Sequence, residues 1–142
     1  MSGTILVGVD GSKTARRAAE SARDIAAALN ASLHVVTAFD ADRTRVVGIG
    51  SDEWIVSNAE SAERVARTVA ESLGHQIIVT YSAARGRPAD ALIGEALKRN
   101  ASMIVVGNRR MKGIGRVLGS VANSVAHNAP CDVYIANTDD AD

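Results

Sequence analysis

Apolar residues in this chain switch between two periods. Ile5-Leu6-Val7-Gly8-Val9 is short, β-branched and apolar on both faces, and Asp10-Gly11-Ser12 follows it. Runs of this kind form strands buried in parallel sheets. The period then changes. Ala15, Ala18, Ala19, Ala22, Ile25, Ala26 and Leu29 recur at helical spacing with charges on the other face, and Ser12 stands where a helix cap belongs. Residues 33–38 read as a second strand, 40–50 as an extended loop, and about 52–73 as a second helix. That helix runs through Ala59, Ala62, Ala66, Val69 and Leu73, with Trp54 at its start as a packing anchor and Gly74 as its stop. Residues 77–81 give a third strand. Pro88 suits the first position of a third helix, lined by Leu92, Ile93, Ala96 and Leu97. Residues 103–106 form a fourth strand, Val121, Ala122 and Val125 mark a fourth helix, and 133–135 are the last strand. The acidic tail 139–142 is expected to be disordered.

Strands alternating with helices predict an α/β fold. The expectation is a single doubly wound, Rossmann-like parallel sheet of five strands, with helices on both faces, in one domain spanning 1–142. No internal repeat or low-complexity linker stands out. In such sheets ligands sit beyond the strand C-termini, where strand order reverses. Val9-Asp10 and Val106-Gly107 are therefore the places to look.

Composition narrows the function. The 142 residues are 46% hydrophobic and 3% aromatic, so Ala, Val, Ile and Leu must build the core. Sixteen bases balance sixteen acids, which argues against a general nucleic-acid or membrane-surface binder. No apolar run approaches the roughly 20 residues of a membrane span, and no signal segment opens the chain. The lone Cys131 excludes an intrachain disulfide and fits a reducing compartment, so a cytoplasmic protein is expected.

Charge is local where it matters. Between Glu95 and Asp132 there is no carboxylate, but there are Lys98, Arg99, Arg109, Arg110, Lys112 and Arg116. Most of these fall in a glycine-bearing stretch, from Val105-Val106-Gly107 to Gly119-Ser120, that joins an apolar run to a helix start. Glycines let a backbone approach an anion, and a helix start offers free N–H groups and a positive dipole end. The order suits a phosphate-holding loop. Arg109 and Arg110 are its first candidate cations, and Gly113 supplies flexibility. His34, in a strand, reads as a core or edge residue. His75 and His127 lie near helix ends, and the three lack metal-ligand spacing. No Gly-x-Ser-x-Gly elbow and no P-loop lysine is present, so an evolved catalytic group is not expected.

Taken together, these motifs resemble the universal stress protein family, from Val7-Gly8-Val9-Asp10-Gly11-Ser12 to Ala129-Pro130-Cys131-Asp132-Val133-Tyr134-Ile135. The resemblance implies strand order 3-2-1-4-5 and a homodimer formed through the last strand. It also implies binding of an adenine nucleotide: ATP first, with Mg²⁺ where ATP binds, and AMP or cyclic AMP as alternatives. The family loop is a glycine, two residues, a glycine, nine residues, then Gly-Ser or Gly-Thr. Gly107 and Gly119-Ser120 match its ends. Arg110 replaces the second glycine, and eight residues rather than nine separate it from Gly119. By resemblance, Asp10 lies near the adenine or ribose, with Val9 before it. Val35 offers its backbone to adenine, and Val106, Gly107, Gly119, Ser120 and Val121 frame the phosphates. The implied role is a stress-response regulator with at most slow ATP hydrolysis. The other branch of the family works through protein partners without a nucleotide.

Overall fold

A computed structural model of the chain describes residues 3–40, 44–47, 54–108 and 118–138, with side chains described outside 44–47 and 54–57. The order is β1 (Thr4–Gly8), α1 (Lys13–Leu29), β2 (Ser32–Phe39), β3 (Thr44–Val47), β4 (Trp54–Ser57), α2 (Asn58–Ser72), β5 (Val79–Arg85), α3 (Pro88–Lys98), β6 (Met103–Gly107), α4 (Ser120–Asn128) and β7 (Asp132–Ala136). Five strands form a sheet in the order β5-β2-β1-β6-β7. Every neighbouring pair in it is parallel. Counting only the strands of that sheet along the chain, the order is 3-2-1-4-5, as expected.

Strand alternation sorts side chains onto two faces. Ile5, Val7, Leu33, Val35 and Val105 pack with the alanines of α1 (Ala18, Ala19, Ala22, Ala26) and with Ala66, Val69 and Ala70 of α2. Leu6, Val36, Ile104 and Val106 pack with Ala91, Leu92 and Ala96 of α3 and with Ala122 and Val125 of α4. Small alanines bring the helices close, and the branched strand residues supply the buried area. Each fully buried Leu or Ile contributes about 1.5–3 kcal/mol.

Two expectations needed correction. Residues 40–50 are not wholly an extended loop and α2 does not begin near 52. Thr44–Val47 and Trp54–Ser57 pair antiparallel as a separate two-stranded sheet, and the helix starts at Asn58. Arg45-Val46-Val47 and Trp54-Ile55-Val56 are rich in β-branched and aromatic residues, which favour strands. Trp54 therefore opens β4, not a helix. The third strand of the main sheet is Val79–Arg85, later than 77–81. Ile78 lies outside it and is 72% exposed. Ser82, Ala83 and Ala84 are weak strand formers, but their parallel pairing with β2 continues as far as Phe39–Arg85.

Two of the turns from helix into strand are alike. Asn30-Ala31-Ser32-Leu33-His34-Val35-Val36 and Asn100-Ala101-Ser102-Met103-Ile104-Val105-Val106 are two forms of one turn from helix into strand. Both asparagines are left-handed, with φ 55° and 52°. Ala31 and Ala101 each donate a backbone N–H to the carbonyl five residues back, Ala26 and Ala96, at 2.8 and 2.9 Å. This is the paired hydrogen-bonding stop that a left-handed residue makes possible. Ser32 and Ser102 then donate backbone N–H bonds to Gly3 and Thr4, on either side of β1.

Candidate functional site

Strand order reverses between β1 and β6, whose partners β2 and β7 lie on opposite sides. A cavity of about 680 Å³ opens there, at the C-terminal ends of the strands. Ligand sites usually span ~300–1,000 Å³. Its floor is apolar: Gly8, Val36, Ala38, Val106 and Leu92. Space is tight at Gly8: a β-carbon there would lie 2.8 Å from Leu92 Cδ2, so Leu92 would have to shift.

Two helices begin at the rim, and their first turns differ. In α1 the Ser12 hydroxyl accepts the N–H of Ala15 at 3.1 Å, so that helix is capped by its own sequence. The turn before it is fixed by Gly11, at φ +88°, and by Asp10 Oδ1, which accepts the Ser12 N–H at 3.0 Å. Only glycine adopts that φ without strain. In α4 the cap position is Gly119, which has no side chain to offer, and no side-chain cap bond is made. Asn123 donates the first intrahelical N–H, to the Gly119 carbonyl at 2.9 Å. The N–H groups of Ser120, Val121 and Ala122 precede that first bond, and all three residues line the cavity. A helix start that its cap residue leaves without a side-chain acceptor favours an anion through both its donors and its dipole.

The structure brings together Val9, Asp10, Val106, Gly107, Gly119, Ser120 and Val121 around one cavity. Arg109, Arg110 and Gly113 lie outside the described residues. Val35, expected to contribute its backbone, is not among the lining residues: its side chain packs on the α1 and α2 face, and its neighbours Val36 and Ala38 line the cavity. Ser120 is the first helical residue and Gly119 is the cap. Sequence reasoning missed lining residues such as Thr14 on α1, Pro88 and Leu92 on α3, and Asn123 on α4. Asn123 was within reach, since it stands three residues after Ser120 and so shares its helical face.

The two described residues with clearly shifted titration, His34 and Cys131, do not line the cavity. His34 lies outside it, buried in the sheet, with Nδ1 2.6 Å from Thr80 Oγ1 and Nε2 2.8 Å from Ser82 Oγ. Burial, and then the nearby Arg99 guanidinium, lower its pKa from 6.5 to about 4. Burial, and then Asp132, raise the Cys131 thiol, the opposite of activation. Among the described residues no group of His, Cys, Asp and Glu is placed to hold a metal ion, and no helix is long and apolar enough to cross a membrane.

A parallel sheet wound both ways from β1, with a cavity at the reversal, defines a doubly wound α/β protein. Residues 1–137 match the universal stress protein family, and the chain belongs to it. It is 35% identical over 133 residues to a universal stress protein of Thermus aquaticus, covering 93% of this chain and 96% of that one. Identity to one from Mycobacterium tuberculosis is 33% over 147 residues, covering 95% and 96%. A crystal structure of a universal stress protein in complex with cAMP is 34% identical, with a TM-score of 0.71 and coverage of 96% and 97%. A structure from Archaeoglobus fulgidus in complex with dAMP has a TM-score of 0.64, covers 94% and 96%, and at 22% identity shows the common fold.

Proposed function

We propose that this protein binds an adenine nucleotide in the cavity between β1, β2, β6 and α4 and serves as a stress-response regulator rather than an enzyme. The single observation that carries this reading is the open start of α4, whose first N–H groups border a cavity with an apolar floor. A phosphate would satisfy those donors, and the slot of Gly8, Val36, Ala38 and Val106 would take the flat base. The residues present therefore fit the ligand. The 34% identical relative in complex with cAMP supports the same ligand class. Cyclic AMP is accordingly the first ligand to test. ATP, with Mg²⁺ carried on its phosphates, is the second.

Nucleotide occupancy would act through contacts with partners, in the cytoplasm and as a homodimer. The edge strand β7 supports the dimer, since it leaves backbone groups on one side for a second copy. Its Tyr134 and Ile135 are 45% and 36% exposed. Calorimetric titration of the purified protein with cAMP, AMP and ATP, each with and without Mg²⁺, tests the binding. A saturable 1:1 isotherm with any of them is expected. No saturable heat or thermal shift with all three would overturn the reading in favour of a nucleotide-independent protein.

A further inference from the structure

Asn108 follows the last residue of β6 and is 4% exposed, yet it does not line the cavity. Its Oδ1 accepts two hydrogen bonds from one residue, the Thr138 backbone N–H at 2.9 Å and the Thr138 hydroxyl at 2.8 Å. Its Nδ2 donates to Asn137 Oδ1 at 3.3 Å. Thr138 lies beyond the end of β7 and is 2% exposed. Its methyl carbon closes on Gly107, where an added β-carbon would meet Thr138 Cγ2 at 3.3 Å. Thus the chain leaving β7 is bolted to the point where the chain leaves β6. A buried acceptor with both bonds made has one low-energy orientation, and losing a partner leaves it desolvated. Two polar side chains buried beyond a strand end satisfy each other, which offsets the cost of burying them and holds this place in one geometry. What they fix is the departure of the backbone from Gly107, a cavity residue, toward the basic segment.

We infer that Asn108 and Thr138 are positioning residues, a latch through which residues near the C-terminal end of the chain set the nucleotide affinity of a site they do not touch. The inference rests on the nucleotide-binding reading for its effect on affinity. The latch itself is independent of it. Thr138→Val keeps the shape and removes the hydroxyl donor. Thr138→Ser keeps both bonds and removes only the methyl group.

The test measures two things on the full chain. One is the affinity for cAMP and ATP. The other, without ligand, is the rate of native-state trypsin cleavage after Arg109, Arg110, Lys112 and Arg116, with cleavage after Arg23 on α1 as the control for global opening. Thr138→Val should weaken the nucleotide about tenfold, the worth of a buried hydrogen bond. It should also speed cleavage in 109–116 several-fold over the control, while Thr138→Ser behaves as wild type. Wild-type affinity and cleavage in Thr138→Val would overturn the latch. If the wild-type protein binds no nucleotide, the functional reading fails and cleavage alone decides: faster cleavage in 109–116 upholds the latch, and an unchanged ratio overturns it. Equal acceleration at Arg23 would also overturn it, by showing general destabilisation.

Discussion

Leu92 on α3 occupies the space where a side chain at Gly8 would begin: both of its terminal carbons lie within 2.9 Å of the position of an added β-carbon. Leu92 is itself 4% exposed and packs in the core cluster of that face, so it can yield only toward the cavity that it lines. Gly8→Ala should therefore destabilise the protein by about 1–3 kcal/mol, the usual cost of overpacking. Adding Leu92→Ala should recover part of that loss, so the double variant should be more stable than the two single costs predict. Urea unfolding of all four proteins checks this, and simple additivity would show that the clash relaxes elsewhere.

Ser120 allows the hydroxyl and the backbone N–H at the start of α4 to be separated. Proline is tolerated at the first helical position, and Gly119 already has the extended ψ of 155° that a following proline requires. Ser120→Pro should leave the melting temperature nearly unchanged while removing one charge-assisted donor, which weakens nucleotide binding by about 10–100-fold. Ser120→Ala keeps the N–H and should lose under tenfold. Calorimetry on the two variants decides which group matters. Equal losses would assign the contact to the hydroxyl.

His34 makes stability depend on pH. In the unfolded chain its pKa returns toward 6.5, whereas in the fold it is about 4. Between those values the unfolded state binds more protons, so its contribution is whole above pH 6.5 and is lost as pH falls toward 4. The gap corresponds to roughly 3 kcal/mol. His34→Gln should flatten the stability profile between pH 6.5 and 5, above the range in which most carboxylates titrate. Denaturant midpoints of the two proteins across that interval provide the measurement, and parallel profiles would remove His34 as the cause.

Asn30 and Asn100 stop α1 and α3 in the same left-handed conformation. Alanine at either position should cost about 1 kcal/mol, because it keeps the crowding β-carbon but loses the short polar side chain that makes the left-handed conformation tolerable for asparagine. Glycine should be close to neutral. The costs at the two sites should match within a few tenths of a kcal/mol and should add, since the two asparagines lie at the ends of different helices, on opposite sides of β1. Thermal unfolding of the alanine and glycine variants at each site tests this.

The sheet and its four flanking helices were legible because short apolar runs and alanine faces have unlike periods. The hairpin was not. Arg45-Val46-Val47 is brief and lies among polar residues, so its strand preference is a weak signal until it pairs with Trp54-Ile55-Val56. In the site, both ends of the glycine-bearing stretch could be read from residue type alone. Val36 could not be told from Val35, because a buried parallel strand is apolar on both faces and its parity is set by the sheet. The Asn108–Thr138 bond joins residues far apart in sequence, and nothing local in either marks it. The repeated turn was visible as letters, but its meaning depended on the left-handed asparagines.

The twin turns into β2 and β6 also say where this molecule is free to change. At their entry ends the two strands are held to β1 by the same bonds in the same order, as if one joint had been used twice. At their exits the likeness stops. β2 runs on to the Thr44–Val47 and Trp54–Ser57 hairpin, and β6 into the latched residue Asn108 and the cavity. Variation confined to the exits leaves the joints intact, so ligand preference can drift without the fold having to be reinvented.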